Sequence, residues 1–409
     1  MRKRRKNTVI LFTLPGYVET AIQTLNDAGH QAYTVGGAVR NALLNRPVHD
    51  YDLTTDATPE EMQQIFSAYR TIPTGIRHGT LTVLIDQVPL EITTFRIDTS
   101  YQDHRHPDAV VFTRTLKEDC ARRDFTINAM CYSPKEGLID YYGGMDDLNA
   151  RIIRTVGNPE ERFTEDALRI LRALRLAAEL NFKIEQETSK ALLDQCSTLS
   201  CIAAERIDAE FLRMLKAEHC APILKQYRSV IEVFLPQLSS ATDEQWNHAC
   251  SLIAASECEE GERLAILFEE TGCAEQASEC LSSMKVSSLF ANTVLDLLNH
   301  ADTPVKDRCD VRRLMHTLKA PFAMYADFRN VIDPTVEKKN LLLYRGKILR
   351  DQDVLQLNQL ALNGNDLKDA GYTGKLIATA LDFALNGVMG DKVINRKENL
   401  MAYLKTNGF

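Results

Sequence analysis

Two aspartates with one residue between them, Asp50 and Asp52 in His49-Asp50-Tyr51-Asp52, have the residue type and spacing for metal-assisted chemistry. On a β-strand, residues i and i+2 face the same side. The two carboxylates would therefore point together and could share hard cations. A third carboxylate, Glu91, lies in "PLEITTFR", another strand-like run. Three carboxylates on adjacent strands suit two Mg²⁺ ions, which prefer oxygen ligands and nucleotide phosphates. One ion would activate an attacking hydroxyl and the other would neutralise a leaving pyrophosphate. An Asp-x-Asp pair alone is more often a surface turn. Here it follows Gly36-Gly37 by thirteen residues, and "TVGGAVR" reads as a strand end, a tight turn and a helix start. Such a turn lets backbone N–H groups approach a phosphate closely. His49 is a structural donor in this reading, because Mg²⁺ disfavours imidazole.

Two further clusters supply polar groups. In "CARRDFTINAM" (residues 120–130), Arg122 and Arg123 could hold a triphosphate, and Asp124 and Asn128 could contact ribose hydroxyls. The plainer reading is a capped helix start with Asp124 bonding backbone N–H groups, and both can hold together. The segment "FTEDALRILRALRLAAELNF" (residues 163–182) predicts one helix. Ala167, Ile170, Leu171, Leu174 and Ala178 fall on one face. Glu165, Asp166, Arg169 and Arg172 fall within about 120° on the other. That polar face is either ordinary solvated surface with an i,i+3 ion pair or a reader of bases. Cytosine and adenine present an amino donor beside a ring-nitrogen acceptor; uracil and guanine present the reverse. An Asp acceptor beside an Arg donor fits the first pair and leaves polar groups unpaired against the second.

These residues need a scaffold. Residues 8–155 mix strand-like runs (32–35, 81–85, 90–94, 110–112 and 152–155) with short helices, the pattern of an α/β head. Helical periodicity dominates from about 160, with breaks expected near Pro222, Pro236, Gly272, Pro304, Pro321 and Pro334. The chain of 409 residues then divides into a head (1–155), a helical neck (156–220), a helical body (221–330) and a helical tail (331–409). Ten scattered cysteines form no Cys-x-x-Cys pair, which argues for reduced thiols and against zinc. No apolar run reaches the roughly 18 residues of a membrane span, and no signal peptide is evident, so a cytoplasmic protein is expected. The net charge is −8, but residues 239–285 alone carry that excess, which leaves the rest about neutral. Local basic surface for a polyanion is therefore not excluded. The basic run Arg2 to Lys6 reads as a solvated arm. "GYTGKL" (371–376) is not a P-loop, because its first glycine is misplaced and Leu376 stands where Ser or Thr is needed.

The ordered set "GGAVRN", "HDYDL", "TGIRHGTLTV", "LEITTFR", "RRDFTINAM", "IDYYGGMDDLNARIIRTVG", "EDALRILRALRLAAELNF" and "ERIDAEFLRML" spans residues 33–215. It resembles the class II tRNA nucleotidyltransferases, the CCA-adding enzymes grouped with bacterial poly(A) polymerases. The resemblance implies an α+β fold: a polymerase-β-type nucleotidyltransferase head followed by an all-α neck, body and tail. It implies template-independent addition of CCA to the 3′ end of tRNA from CTP and ATP, with Mg²⁺ as cofactor and tRNA lying along neck, body and tail. Asp50 and Asp52 would bind the metals and Glu91 would orient the site. Gly36, Gly37 and Arg40 would meet phosphates. Arg122, Asp124 and Asn128 would hold the nucleotide. Asp166 and Arg169 would pair with the base, supported by Glu165 and Arg172. Asn41 departs from the family, which usually has Asp there. The segment at 96–112 resembles the loop used to switch from CTP to ATP, which argues against a CC-only enzyme. Addition of A alone, poly(A) synthesis, and a catalytically inactive RNA-binding relative are the alternatives.

Overall fold

The computed structural model of the chain describes residues 12–98 and 110–409. The basic arm Arg2 to Lys6 and the middle of the 96–112 loop lie outside the described residues. The described residues form two compact units that divide between Phe234 and Leu235. The four-segment division at 155, 220 and 330 is a finer proposal than this.

The first unit opens with α1 (Gly16–Asp27), which buries Val18, Ala21, Ile22 and Leu25 along one stripe. The strands of its sheet are β1 (Ala32–Val35), β2 (Asp52–Thr55), β3 (Arg70–Gly75), β4 (Thr80–Ile85) and β5 (Val88–Thr94). Two more, β8 (Cys131–Ser133) and β9 (Gly137–Ile139), complete it. The order across the sheet is β3-β4-β5-β2-β1-β8-β9. Between β5 and β8, β6 (Arg96–Asp98) and β7 (Val110–Phe112) pair as a separate antiparallel ribbon, the two arms of the expected loop. β1 lies inside the sheet and is buried along its whole length, while β4 alternates buried and half-exposed residues. β4 and β5 are joined by Asp86 and Gln87, both with positive φ (51° and 65°). Two successive left-handed residues make the tight hairpin turn whose twist suits the flanking strands.

The connecting helices are short. α2 (Gly37–Leu43) follows β1, α3 (Pro59–Ile65) follows β2, and α4 (Leu116–Ala121) precedes the Arg122-Arg123-Asp124 cluster. After α5 (Gly144–Ala150) the chain becomes helical: α6 (Pro159–Glu165), α7 (Leu168–Leu180), α8 (Gln186–Gln195) and α9 (Ala204–Lys216). The expected strand at 152–155 is reduced to Ile152–Ile153, which pairs in parallel with Lys183–Ile184.

The single helix expected over 163–182 is not what the chain forms. It is broken at Asp166, whose backbone is extended (φ −143°, ψ 102°). The Asp166 Oδ1 accepts from the Leu168 N–H at 3.1 Å, so the side chain starts a new helix instead of continuing the old one. The apolar face survives: Ala167, Ile170, Leu171, Leu174 and Ala178 are all buried.

The second unit contains no strand among the described residues and runs from helix Asp243–Ala255 to helix Lys397–Thr406. Near its end, Leu362, Leu367, Ala380, Ala384, Leu400 and Leu404 form a core. Pro236, Gly272, Pro304 and Pro334 fall between α-helices, and Pro321 caps helix Phe322–Ile332. A break falls at 217–219, just before Pro222, which itself sits in the first turn of helix Cys220–Gln226, where a missing N–H costs little. All ten cysteines are free thiols. No described helix is long and apolar enough to cross a membrane.

Candidate active site

The head sheet fixes the carboxylates through backbone register. β2 and β5 run parallel with Asp52 directly opposite Glu91. Side chains at paired positions share a face, and adjacent strands lie about 4.8 Å apart. β1 runs antiparallel to β2 with Val35 opposite Asp52, so the chain leaves β1 at Gly36 on the same edge of the sheet. Asp50 lies just before β2. Burial, with Glu91 and Asp50 as like charges, pushes the Asp52 carboxyl up, while Arg123 pulls it down.

The glycine turn is flanked by cations. Gly36 has φ 69° and ψ −133°, a backbone that side-chain-bearing residues rarely adopt. A Cβ added there would stand 3.6 Å from the Arg123 Nη1, and one added at Gly37 would stand 3.6 Å from the Arg40 Nη2. Arg123 is held by the fully buried Asp119, which accepts from it at 3.2 Å and from Arg122 Nη2 at 2.7 Å. Burial pushes the Asp119 carboxyl up, but the two guanidiniums outweigh that and hold it below the usual range. Asp119 went unnoticed in the sequence. Its i−3 and i−4 spacing to Arg122 and Arg123, which follow the end of α4, is the available signal.

Arg40 is buried, and burial lowers its pKa to about 10. Its guanidinium donates to Asn128 Oδ1 at 2.7 Å, and its Nε and Nη2 donate to Asn41 Oδ1 at 3.1 and 3.0 Å. The family-atypical Asn41 thus acts as a neutral acceptor for this arginine. Asn128 in turn donates to Asp124 Oδ1 at 3.3 Å, and Asp124 Oδ2 accepts from Arg172 Nε and Nη2 at 2.9 and 2.6 Å. Burial opposes ionisation of Asp124, but Arg172 and Arg169 with these hydrogen bonds lower its pKa to about 2. Arg172 is therefore engaged with a head carboxylate. It is also 3.6 Å from Glu210 on α9, whose other oxygen accepts from Arg175 at 2.5 Å.

The break between α6 and α7 separates the polar residues expected on one helical face. Arg169 donates to Glu165 Oε2 at 2.6 Å, to the Arg162 carbonyl at 3.1 Å and to the Arg122 carbonyl at 3.1 Å. Asp166 is not its ion partner; its Oδ2 accepts from Arg206 Nη2 on α9 at 3.3 Å. Glu165, Asp166, Arg169 and Arg172 still gather where the neck meets the Arg122–Asp124 cluster, through tertiary bonds and not by helical periodicity. Arg162, Arg206 and Glu210 join them; Arg162 stands at i,i+3 spacing to Glu165, whereas Arg206 and Glu210 come from α9 and have no signal in local spacing.

Among the described residues, no group of three or more His, Cys, Asp or Glu side chains closes into a metal-binding cluster. The donor set nevertheless fits a hard dication. Asp50, Asp52 and Glu91 offer only oxygens, and the mutual repulsion felt at Asp52 is what a bound cation would relieve. A Mg²⁺-type ion takes one or two protein carboxylates and completes its shell with phosphate and water.

Residues 32–154 match the family description "Poly A polymerase head domain", and residues 181–242 match "Probable RNA and SrmB- binding site of polymerase A". The chain is 50% identical to a CCA-adding enzyme of Enterococcus faecalis over 208 residues, 50% of this chain and 51% of that one. It is 42% identical to a CCA-adding enzyme of Streptococcus gordonii over 295 residues, 70% of this chain and 72% of that one. The matched stretch spans about half the length of the first curated relatives. Among solved structures, the Bacillus stearothermophilus CCA-adding enzyme in complex with CTP superposes with a TM-score of 0.79. That match covers 97% of this chain and 98% of that one at 29% identity.

Proposed function

The chain belongs to the CCA-adding enzyme family, and we propose that it adds C, C and A in turn to the 3′ end of tRNA from CTP and ATP without a template. The observation that carries this reading is the parallel register of Asp52 with Glu91 beside the Gly36-Gly37 turn and its two guanidiniums. In each step the terminal 3′ hydroxyl of the RNA attacks the α-phosphorus. A P–O bond forms, the bond to pyrophosphate breaks, and the hydroxyl proton leaves. Asp50 and Asp52 would hold a divalent cation, Mg²⁺ by the preference for oxygen donors, whose chemistry is to acidify the hydroxyl and neutralise the departing pyrophosphate.

The chain's own residues do the rest. Glu91 keeps the carboxylate edge negative and holds Asp52 in a field that favours a bound cation. Gly36 and Gly37 expose backbone between Arg123 and Arg40, a cationic floor for the triphosphate. Asp124 and Asn128, locked by Arg172 and Arg40, orient the ribose, and Arg122 lies beside them. Asp166 offers an acceptor and Arg169 donors to the pairing edge of C or A, with Glu165 holding Arg169 in place. The matching polarity of C and A explains how one site takes both bases and refuses U and G. Helical residues beyond the neck would hold tRNA, in keeping with the RNA-binding description matched by residues 181–242.

The test is to incubate the protein with tRNA lacking its terminal CCA and each labelled nucleoside triphosphate. Incorporation of C followed by one A is the expected result. A alone would mark an A-adding enzyme, long A tracts on unrelated RNA a poly(A) polymerase, and RNA binding without incorporation an inactive relative.

A further inference from the structure

We propose that Arg162 is a positioning residue for base selection, acting through Glu165 on Arg169. The inference rests on the reading that Asp166 and Arg169 face the incoming base. Arg162 lies on α6, before the break. Its Nη2 pairs with Glu165 Oε1 at 3.0 Å, while Arg169 from α7 takes Glu165 Oε2 at 2.6 Å. One carboxylate thus bridges two guanidiniums from the two sides of the break. The Arg162 carbonyl accepts from Arg169 Nη1 at 3.1 Å, so Arg162 holds Arg169 by main chain as well.

The same two arginines also reach the head. Arg162 Nη1 donates to the Ala121 carbonyl at 3.3 Å, and Arg169 Nη2 donates to the next carbonyl, that of Arg122, at 3.1 Å. These carbonyls end α4, where a helix leaves its last acceptors without internal partners. Two guanidiniums on consecutive carbonyls, joined by one carboxylate, form a clamp between α4 and the α6–α7 break. The break carries Asp166, so the clamp sets the direction of Asp166 and Arg169 relative to the Arg122–Asp124 cluster. Beside it lies a cavity of about 150 Å³ lined by Ile97, Glu118, Ala121, Arg122, Arg162 and Glu165. Without Arg162, Glu165 has room to turn into that space and release Arg169.

A residue that only stabilised the fold would lower activity toward every nucleotide in proportion. A positioning residue changes the ratio between nucleotides, which does not depend on the fraction of folded protein. The experiment measures kcat/KM for CTP and UTP on tRNA lacking CCA, for the parent, Arg162→Ala, Arg162→Lys and Asp166→Ala. Arg162→Ala is expected to lower the CTP:UTP ratio about tenfold, the scale of a lost charge-assisted hydrogen bond. Arg162→Lys, which keeps the cation for Glu165, is expected to restore the ratio to within about threefold of the parent. An unchanged ratio in Arg162→Ala overturns the proposal. If Asp166→Ala lowers the ratio in that same series, base reading by the neck stands and only the clamp falls. If neither variant moves it, both fall. If Arg162→Ala moves it and Asp166→Ala does not, the clamp stands and Asp166 loses its role. Should Arg162→Ala fail to fold, Arg162→Gln, which keeps much of the side chain's length but removes the cation from Glu165, carries the test with the same expected fall and the same overturning result.

Discussion

The head and the neck place their functional side chains by different means. In the head, Asp52 and Glu91 face one another because a hydrogen-bond ladder aligns their strands, whatever their side chains do. In the neck, Asp166 and Arg169 are placed by side chains: Asp166 caps α7, Arg206 holds its other oxygen, and Glu165 with two carbonyls holds Arg169. A ladder tolerates change in the residues it presents. A side-chain network does not, because each member left without its partner is a buried polar group that costs energy. The contrast teaches that substitution in the head should remove chemistry while sparing structure. Substitution in the neck should degrade discrimination or stability more gradually.

Four outcomes would break or sharpen that contrast. The largest is Asp52→Ala: nucleotide addition should fall by about 10³-fold or more, as expected when several kcal/mol of charge stabilisation is lost. tRNA binding by gel shift should stay within about twofold, and Tm should not fall, because the substitution relieves like-charge repulsion with Glu91 and Asp50. A large loss of Tm would mean that the head also depends on side-chain networks. Next, Asp124→Asn should destabilise the fold by about 2 kcal/mol, since buried Asp124 loses its charge-assisted bonds from half-exposed Arg172, which keeps only Glu210 at 3.6 Å. The pH dependence follows in sign. The Asp124 pKa is lowered to about 2 in the folded chain. Its stabilisation is therefore present above the ordinary aspartate pKa and is lost as pH falls toward about 2. The variant should flatten that acid limb in melting experiments. Third, Asp166→Ala should lower the preference for CTP over UTP by about tenfold to a hundredfold while leaving the metal dependence unchanged. A larger effect on metal affinity than on selectivity would erase the division between the two regions. The smallest is Gln87→Gly in the β4–β5 turn, where φ is +65°. It should stabilise by about 0.5–1 kcal/mol and leave activity alone, as read by denaturant midpoints.

The same contrast explains what the sequence reveals. The strand-like runs at 32–35 and 110–112 coincide with β1 and β7, because strand geometry follows from the backbone alone; of the expected Asp50–Asp52 pair only Asp52 lies on a strand, with Asp50 just before it. The buried stripe of α7 was equally readable. The break at Asp166 was not, because helical periodicity assumes an uninterrupted ladder. Here an aspartate side chain outcompetes the backbone for the Leu168 N–H. The family resemblance implies Arg40 as a phosphate ligand, yet it is buried against Asn41 and Asn128, and the Asn128 contact depends on tertiary packing. Asp119 and Glu210 were hidden for a related reason. A lone acidic residue in a helix looks like solvated surface until the arginines around it are placed.

The register between β2 and β5 carries an implication for how this head can diversify. Side chains alternate along a strand, so one residue inserted within β5 ahead of Glu91 would turn it to the opposite side of the sheet, even if every main-chain hydrogen bond re-formed. Two inserted residues would return a side chain to the original side. The sheet thus acts as a parity filter on length variation: an odd change in these strands turns the acidic edge away unless a bulge takes up the extra residue, and an even change keeps it facing the same side. Length polymorphism should accordingly collect in the turns and in the β6–β7 ribbon, which lies outside the main sheet.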